Sequence, residues 1–190
     1  MNAVGWDAVH DGRDAFRACL RAMCRPGRPV GGLPRPGLSE DPLLDAATAL
    51  LLALLDVGVG FAVRGGGEPA RTADAALARL TGAAPAPVFD ADFILIAGGE
   101  GGAAGEARRG SALRPEAGAT LIYAGSWSPA NALLRGPGIE TPMPAQLTLP
   151  PGELSLLTAA ASTPPAGVDA FLVSPAGLTA LPRSVLAASG

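Results

Sequence analysis

Phe93-Ile94-Leu95-Ile96 is the strongest strand signal in the chain, and it follows three segments patterned as helices. That succession does most to limit the fold. In the first helical segment, 11–25, Phe16, Leu20 and Met23 recur at helical spacing as an apolar face. Asp11 is placed to cap its start and Pro26-Gly27 to end it. A proline-rich loop runs from Pro26 to Glu40. Asp41-Pro42 then reads as the N-cap and first position of a second helix reaching Leu55. Val57 to Val63 reads as a short strand, Gly65-Gly66-Gly67 as a turn, Thr72 to Leu80 as a third helix and Gly82 to Pro87 as a loop. Downstream come strands at Thr120–Tyr123 and Ala132–Leu134, a tight turn at Gly136-Pro137-Gly138, and a helix at Glu153–Ala161 stopped by Pro164-Pro165. Val168 to Val173 and Leu178 to Leu181 make a terminal hairpin. Early helices with strands interspersed predict an α/β fold: one three-layer domain with a mixed sheet over residues 1–190, the first ten expected to be mobile.

The chain has the means to fill one core. It is 48% hydrophobic, so its 26 glycines and 19 prolines read as turns between apolar runs and not as disorder. A net charge of −3 argues against nucleic acid as a partner, which needs clustered positive potential. The longest apolar stretch, Leu43 to Leu55, is too short to span a membrane and carries Asp45 and Thr48. The first residues show no basic region followed by an apolar core, so no export signal is expected. Cys19 and Cys24 are five apart on one helix, about 140° around its axis, so no disulfide joins them and a reducing cytoplasm is the expectation.

The absences narrow the chemistry. All 14 basic residues are arginine, with no lysine, and there is a single histidine, His10, and a single tyrosine, Tyr123. A Walker-type phosphate loop and a pyridoxal-phosphate Schiff base each need a lysine, so both are excluded. Structural zinc needs four soft or imidazole ligands, and only His10, Cys19 and Cys24 qualify. A serine triad would depend on His10, which reads better as a solvated or interface residue. Gly125-Ser126-Trp127-Ser128-Pro129 does not fit G-x-S-x-G. No catalytic, cofactor-binding or metal-binding residue is therefore assigned, and no cofactor is expected.

Two features remain open to a ligand or a partner. Gly99-Glu100-Gly101-Gly102-Ala103-Ala104 follows a strand and fits G-x-G-x-x-A, so the loop from Gly98 to Gly105 is the place for a free-standing nucleotide-binding enzyme to hold a pyrophosphate. However, this strand is not the first of a βαβ unit and no long helix follows. Arg13, Arg17, Arg21 and Arg25 form a stripe on the first helix. The stripe is either a solvated face or a docking face for an acidic partner or a phosphate.

Several stretches together resemble a known family. Phe16-Arg17, Leu20-Arg21-Ala22-Met23 and Pro26-Gly27 resemble the N-terminal helix and stop of PhnH, a subunit of the bacterial carbon–phosphorus lyase system. Pro115-Glu116-Ala117-Gly118-Ala119-Thr120 is similar to its P-E-x-G-A-T segment, and Leu134-Arg135-Gly136-Pro137-Gly138-Ile139 to its L-x-G-P-G-I turn. Pro165-Ala166-Gly167-Val168-Asp169 and Pro182-Arg183-Ser184 resemble its terminal elements. The resemblance implies a fold related to the large domain of pyridoxal-phosphate transferases without the cofactor. It also implies a homodimer that joins sister subunits of a core complex. With them it would support formation of ribose 1-methylphosphonate 5-triphosphate from ATP and methylphosphonate, with adenine displaced. The expected partner or anion contacts are Arg17, Arg21, Arg25, Glu116, Asp169 and Arg183. For Pro115, Glu116, Gly118, Gly138, Asp169 and Arg183, where the match is tightest, the competing reading is fold maintenance, with Asp169 or Arg183 paired internally.

Overall fold

The apolar run at 93–96 lies inside a six-stranded sheet. The computed structural model describes residues 5–99 and 101–189. Along the chain it places α1 (His10–Cys24), α2 (Pro42–Leu54), β1 (Gly60–Gly65), α3 (Gly67–Thr81), β2 (Ala84–Pro85), β3 (Phe93–Ala97), α4 (Ala103–Glu106), β4 (Thr120–Ala124), β5 (Pro129–Gly136), β6 (Ile139–Thr148), α5 (Glu153–Ala160), β7 (Asp169–Ser174), β8 (Gly177–Leu181) and β9 (Leu186–Ser189), with a 3-10 turn at Pro115–Ala117. The large sheet has the order β2-β1-β3-β4-β7-β8, parallel except for β8, which runs antiparallel to β7. A second, antiparallel sheet has the order β6-β5-β9.

Both faces of the large sheet are covered, which is why its inner strands are apolar without alternation. Phe61, Leu95, Ile122 and Phe171 face α1, α2 and α3. Ile94, Ile96, Leu121 and Leu172 face the other way, against Leu154 and Leu157 of α5 and against Leu134 and Leu147 of the small sheet. The fold is thus mixed α/β in three layers, with a core on each side of the sheet. Helix α2 is buried along most of its length, and Leu50 and Leu51 have no exposed surface. Each such side chain contributes about 1.5–3 kcal/mol by leaving water.

Helix α1 is rotated from the sequence expectation. Its buried face is Ala15, Ala18, Cys19 and Ala22, while Phe16 and Leu20 remain 46% and 50% exposed and Met23 is half-buried. Small side chains let α1 lie close against α2, so the bulky residues turn outward. The start of α1 is also held differently. The Asp7 carboxylate accepts from the backbone N–H of Val9 (2.8 Å) and His10 (2.9 Å), and the Asp11 carboxylate accepts from the Asp7 N–H (2.8 Å). This reciprocal cap gives Asp7 the role expected of Asp11. His10 is exposed and its Nδ1 lies 2.9 Å from Asp7 Oδ2. Those backbone and side-chain bonds to His10 lower the Asp7 pKa to about 2. Residues 1–4 lie outside the described part of the chain.

Other elements differ at their edges. The strand expected at 57–63 begins at Gly60, because Asp56 turns the chain: its carboxylate accepts from the Val57 N–H (2.7 Å) and its carbonyl from the Val59 N–H (3.1 Å), with Gly58 at φ +87°. Strand β6 escapes the sequence reading because Pro142 and Pro144 interrupt it, yet it lies at a sheet edge, where a missing N–H is tolerated. The Asp41-Pro42 start of α2 is as expected, with Asp41 Oδ1 accepting from the N–H of Leu43 at 2.8 Å and Leu44 at 3.4 Å.

The proline-rich loop is fixed at both ends. Val30 exchanges two backbone bonds with Leu178 of β8, at 2.8 and 2.9 Å. Further on, buried Asp45 of α2 accepts from the N–H of Gly37 (3.1 Å), Leu38 (2.7 Å) and Ser39 (3.2 Å). Three donors offset the cost of burying that carboxylate. Residues 31–36 thereby form a strap between two anchors.

The rotation of α1 has a direct test. Cys19 is buried, which pushes its thiol up to about 12, and Cys24 is exposed. A thiol reagent applied near neutral pH should label one cysteine per native chain, Cys24, and two after denaturation. Prompt labelling of both in the native protein would place Cys19 on the outer face.

Candidate functional site

The segments that carried the family resemblance meet in pairs. Asp169, the first residue of β7, and Arg183, just beyond β8, form a pair of which 14% and 20% of the side chains are exposed. Asp169 Oδ1 accepts from the Arg183 N–H at 2.8 Å and Oδ2 from its Nε at 3.0 Å, and the guanidinium also reaches Oδ2 and the Pro115 carbonyl. A Cβ at Gly118 would run into the Gly167 carbonyl and the same guanidinium. The P-E-x-G-A-T, P-x-G-x-D and P-R-S segments therefore close on one another around a single arginine. Likewise Gly138 (φ +81°) packs against Pro26 and the Cys24 carbonyl, so the helix stop and the Gly-Pro-Gly turn meet.

A second latch of the same type holds the neighbouring strands. Arg108 donates from Nε to the Ala117 carbonyl (2.6 Å) and pairs with Asp92, whose other oxygen accepts from the Gly60 N–H at 2.8 Å. Asp92 precedes β3 and Gly60 opens β1, while Thr120 and Asp169 open β4 and β7. Both Arg–Asp pairs thus sit under the N-terminal ends of the parallel strands. Ligands of open α/β sheets bind at the other edge, beyond the strand C-termini.

At that C-terminal edge the central group is Glu153, the first residue of α5, with no exposed surface. Its carboxylate accepts from the N–H of Gly102 (2.5 Å) and Ala104 (2.8 Å) and from the Tyr123 hydroxyl (2.7 Å). The loop after β3 was the sequence candidate for holding a pyrophosphate. Two of its amides are already given to an internal anion, and the helix it opens, α4, has four residues. Glu100 lies outside the described residues. Arg64 at the end of β1 pairs with Glu106 of α4 at 2.8 Å, and Trp127 Nε1 donates to the Gly99 carbonyl at 3.0 Å. The Tyr123 and Trp127 rings meet edge to face, 6.5 Å between centroids. Burial, helped by the Glu153 carboxylate, drives the Tyr123 pKa well above its ordinary value.

The six expected contact residues do not form one site. Asp169 and Arg183 are joined internally. Glu116 is exposed and lies 3.6 Å from Arg114. Arg17, Arg21 and Arg25 are exposed on or beside α1, and none has a carboxylate partner within salt-bridge distance among the described residues. Glu153, Asp45, Asp92 and Arg108 were missed from the sequence. For Asp45 a signal existed, a lone carboxylate inside an apolar helix. For Asp92 and Arg108, sixteen positions apart, none did. Among the described residues no group of three or more His, Cys, Asp or Glu is placed to hold a metal, and no helix is long and apolar enough to cross a membrane.

Two measurements check this geometry. Replacing Asp169 with Asn leaves the partly buried Arg183 without its anion and should cost about 2 kcal/mol in denaturant unfolding, the scale of hydrogen bonds to a charged group. Asp169→Leu with Arg183→Met should recover part of that loss, since an apolar pair leaves no desolvated charge unpaired. Tyr123, the single tyrosine, reports its own ionisation by ultraviolet absorbance. Its folded-state pKa lies above the ordinary 10.0, so the stability it contributes is complete below pH 10 and is lost as pH rises through the raised value. Tyrosinate should therefore appear together with alkaline unfolding, and a separate native-state transition near pH 10 would contradict the burial.

Comparison with known protein families then gives a match. The sequence model of a family described as bacterial phosphonate metabolism protein (PhnH) matches residues 5–187. No curated protein matches.

Proposed function

The chain belongs to the PhnH family, and on that premise we propose that it works as a docking subunit of the carbon–phosphorus lyase core complex in phosphonate breakdown. In this reading the complex transfers ribose triphosphate from ATP to an alkylphosphonate, and this chain binds and shapes while sister subunits supply the reacting groups. The proposed fold kinship is with the large domain of pyridoxal-phosphate transferases. The absence of lysine accords with a relative that has dispensed with the cofactor. A homodimer in the cytoplasm completes the reading.

The observation that carries it is the outer face of α1. Phe16 and Leu20 are about half exposed there, with Arg17 and Arg21 beside them and Arg25 at the end of the helix. In a chain of net charge −3, this is a local concentration of positive charge, unpaired among the described residues, around large apolar side chains. Apolar anchors ringed by arginine are what interfaces concentrate. A second copy docked here about a two-fold axis would set arginine against arginine. The face therefore fits an acidic sister subunit, and the homodimer contact lies elsewhere. The competing nucleotide-binding reading of the Gly98 to Gly105 loop is weakened by Glu153, whose carboxylate holds two of that loop's amides.

The test is co-expression with the sister subunits of the complex and affinity capture of the assembly. Phe16→Ser with Arg17→Glu and Arg21→Glu should abolish capture while leaving the melting temperature within a few degrees, because all three residues are exposed. Unchanged capture by this variant would remove α1 from the interface.

A further inference from the structure

A cavity of about 790 Å³ opens at the C-terminal ends of β4 and β7, between their following turns and the strap at 31–36. Its walls are Gly31, Gly32, Leu33 and Arg35 of the strap, Asp41, Pro42 and Leu43 at the start of α2, and Ser126, Ser174 and Pro175 beyond the strands. This is the edge at which open α/β sheets bind small molecules, and the volume is that of a ligand site. The Asp169–Arg183 and Asp92–Arg108 latches lie at the opposite edge.

Three features make the cavity a built site. The strap over it is tied down at both ends, by the Val30–Leu178 bridge and by the buried Asp45 carboxylate. Arg35, on the span between those anchors, is exposed and has no carboxylate partner among the described residues. Asp41 uses Oδ1 to cap α2, and no hydrogen bond among the described residues occupies its Oδ2. The cavity thus offers a cation with forked donors, a carboxylate oxygen that accepts, the Ser126 hydroxyl, and an apolar wall of Leu33, Leu43 and Pro175.

We propose that this cavity binds a small organic phosphate or phosphonate bearing hydroxyl or amino groups, with Arg35 gripping the oxyanion and Asp41 taking a donor from the organic part. A guanidinium matches a tetrahedral oxyanion bidentately. A bare oxyanion would leave both Asp41 and the apolar wall without a partner, which is why the ligand needs an organic portion. The inference deepens the phosphonate reading and rests on it for the ligand class, but it concerns a different surface from the α1 face.

The experiment titrates the purified full chain with ATP, ribose 5-phosphate, 2-aminoethylphosphonate and inorganic phosphate, followed by calorimetry and by the backbone amide resonances of residues 31–33, 126 and 174. At least one organic ligand should shift these amides and bind tenfold or more tightly than inorganic phosphate. Arg35→Gln should weaken it about tenfold or more, as loss of a charge-assisted hydrogen bond does, with the melting temperature unchanged. Ser126→Leu, which fills the cavity without touching Arg35, should weaken it as well. Silence of these amides with all four compounds, equal affinity for inorganic phosphate, or indifference to Arg35→Gln would each overturn the proposal. Arg35→Gln should still be captured by the sister subunits, so failure here is distinguishable from failure of the docking reading.

Discussion

Where β3 and β4 end, the loop into α4 and the start of α5 are arranged around one desolvated carboxylate. Glu153 has no exposed surface, and a buried charge of that kind is tolerable only when hydrogen bonds replace its hydration. Two amides of the loop after β3 and the Tyr123 hydroxyl do so, at 2.5, 2.8 and 2.7 Å. The carboxylate thereby ties α5 to β4 and to the turn into α4, three segments far apart in sequence. The glycines of the loop fit the same requirement. A Cβ at Gly101 would stand 2.8 Å from a Glu153 oxygen, and Gly102 adopts φ +112°. A loop whose pattern suggests an anion from outside has been folded around an anion from inside.

The two edges of the large sheet divide the work. Beneath the strand N-termini, Asp169–Arg183 and Asp92–Arg108 pin the chain ends that enter the sheet, and the family's most recognisable segments converge there on Arg183. Motif density therefore marks a structural latch more than a binding surface. Beyond the strand C-termini the surface is more open: the strap, the Arg35 cavity and the turns after β4 and β7. Helix α1 adds a third region, where close packing of alanines turns Phe16 and Leu20 outward among arginines. The chain has one histidine and no lysine, so the charged groups that shape these three regions are arginines and carboxylates.

Much of the fold was legible in the sequence because the signals were local. Asp41-Pro42 starts α2, the run at 93–96 is a strand buried on both faces, and the hairpin around residues 175–177 closes as its turn residues dictate. What escaped depends on packing between distant segments. The rotation of α1 follows from which of two faces fits α2, and alanine beat phenylalanine because it permits closer approach. Strand β6 hid behind Pro142 and Pro144, which only an edge position accommodates. The site was less legible still. Arg183 and Asp169 stand out in the sequence, and internal pairing of either is one of its two readings; that they pair with each other is visible only in the fold. Glu153 looked like an ordinary helix start, and its importance comes from residues 30 to 51 positions away. The arginine stripe was visible, but not that its apolar neighbours point outward with it.

The Gly98 to Gly105 loop is closed by Glu153 and not held open for a phosphate. Hydrogen exchange at the Gly102 and Ala104 amides tests this most directly. Protection of both amides close to the level of the sheet core, lost in Glu153→Ala, is the predicted result. Exchange at the rate of an unstructured loop would show that the loop is open and contradict closure by Glu153, and protection that appears only on adding ATP would favour the competing nucleotide-binding reading.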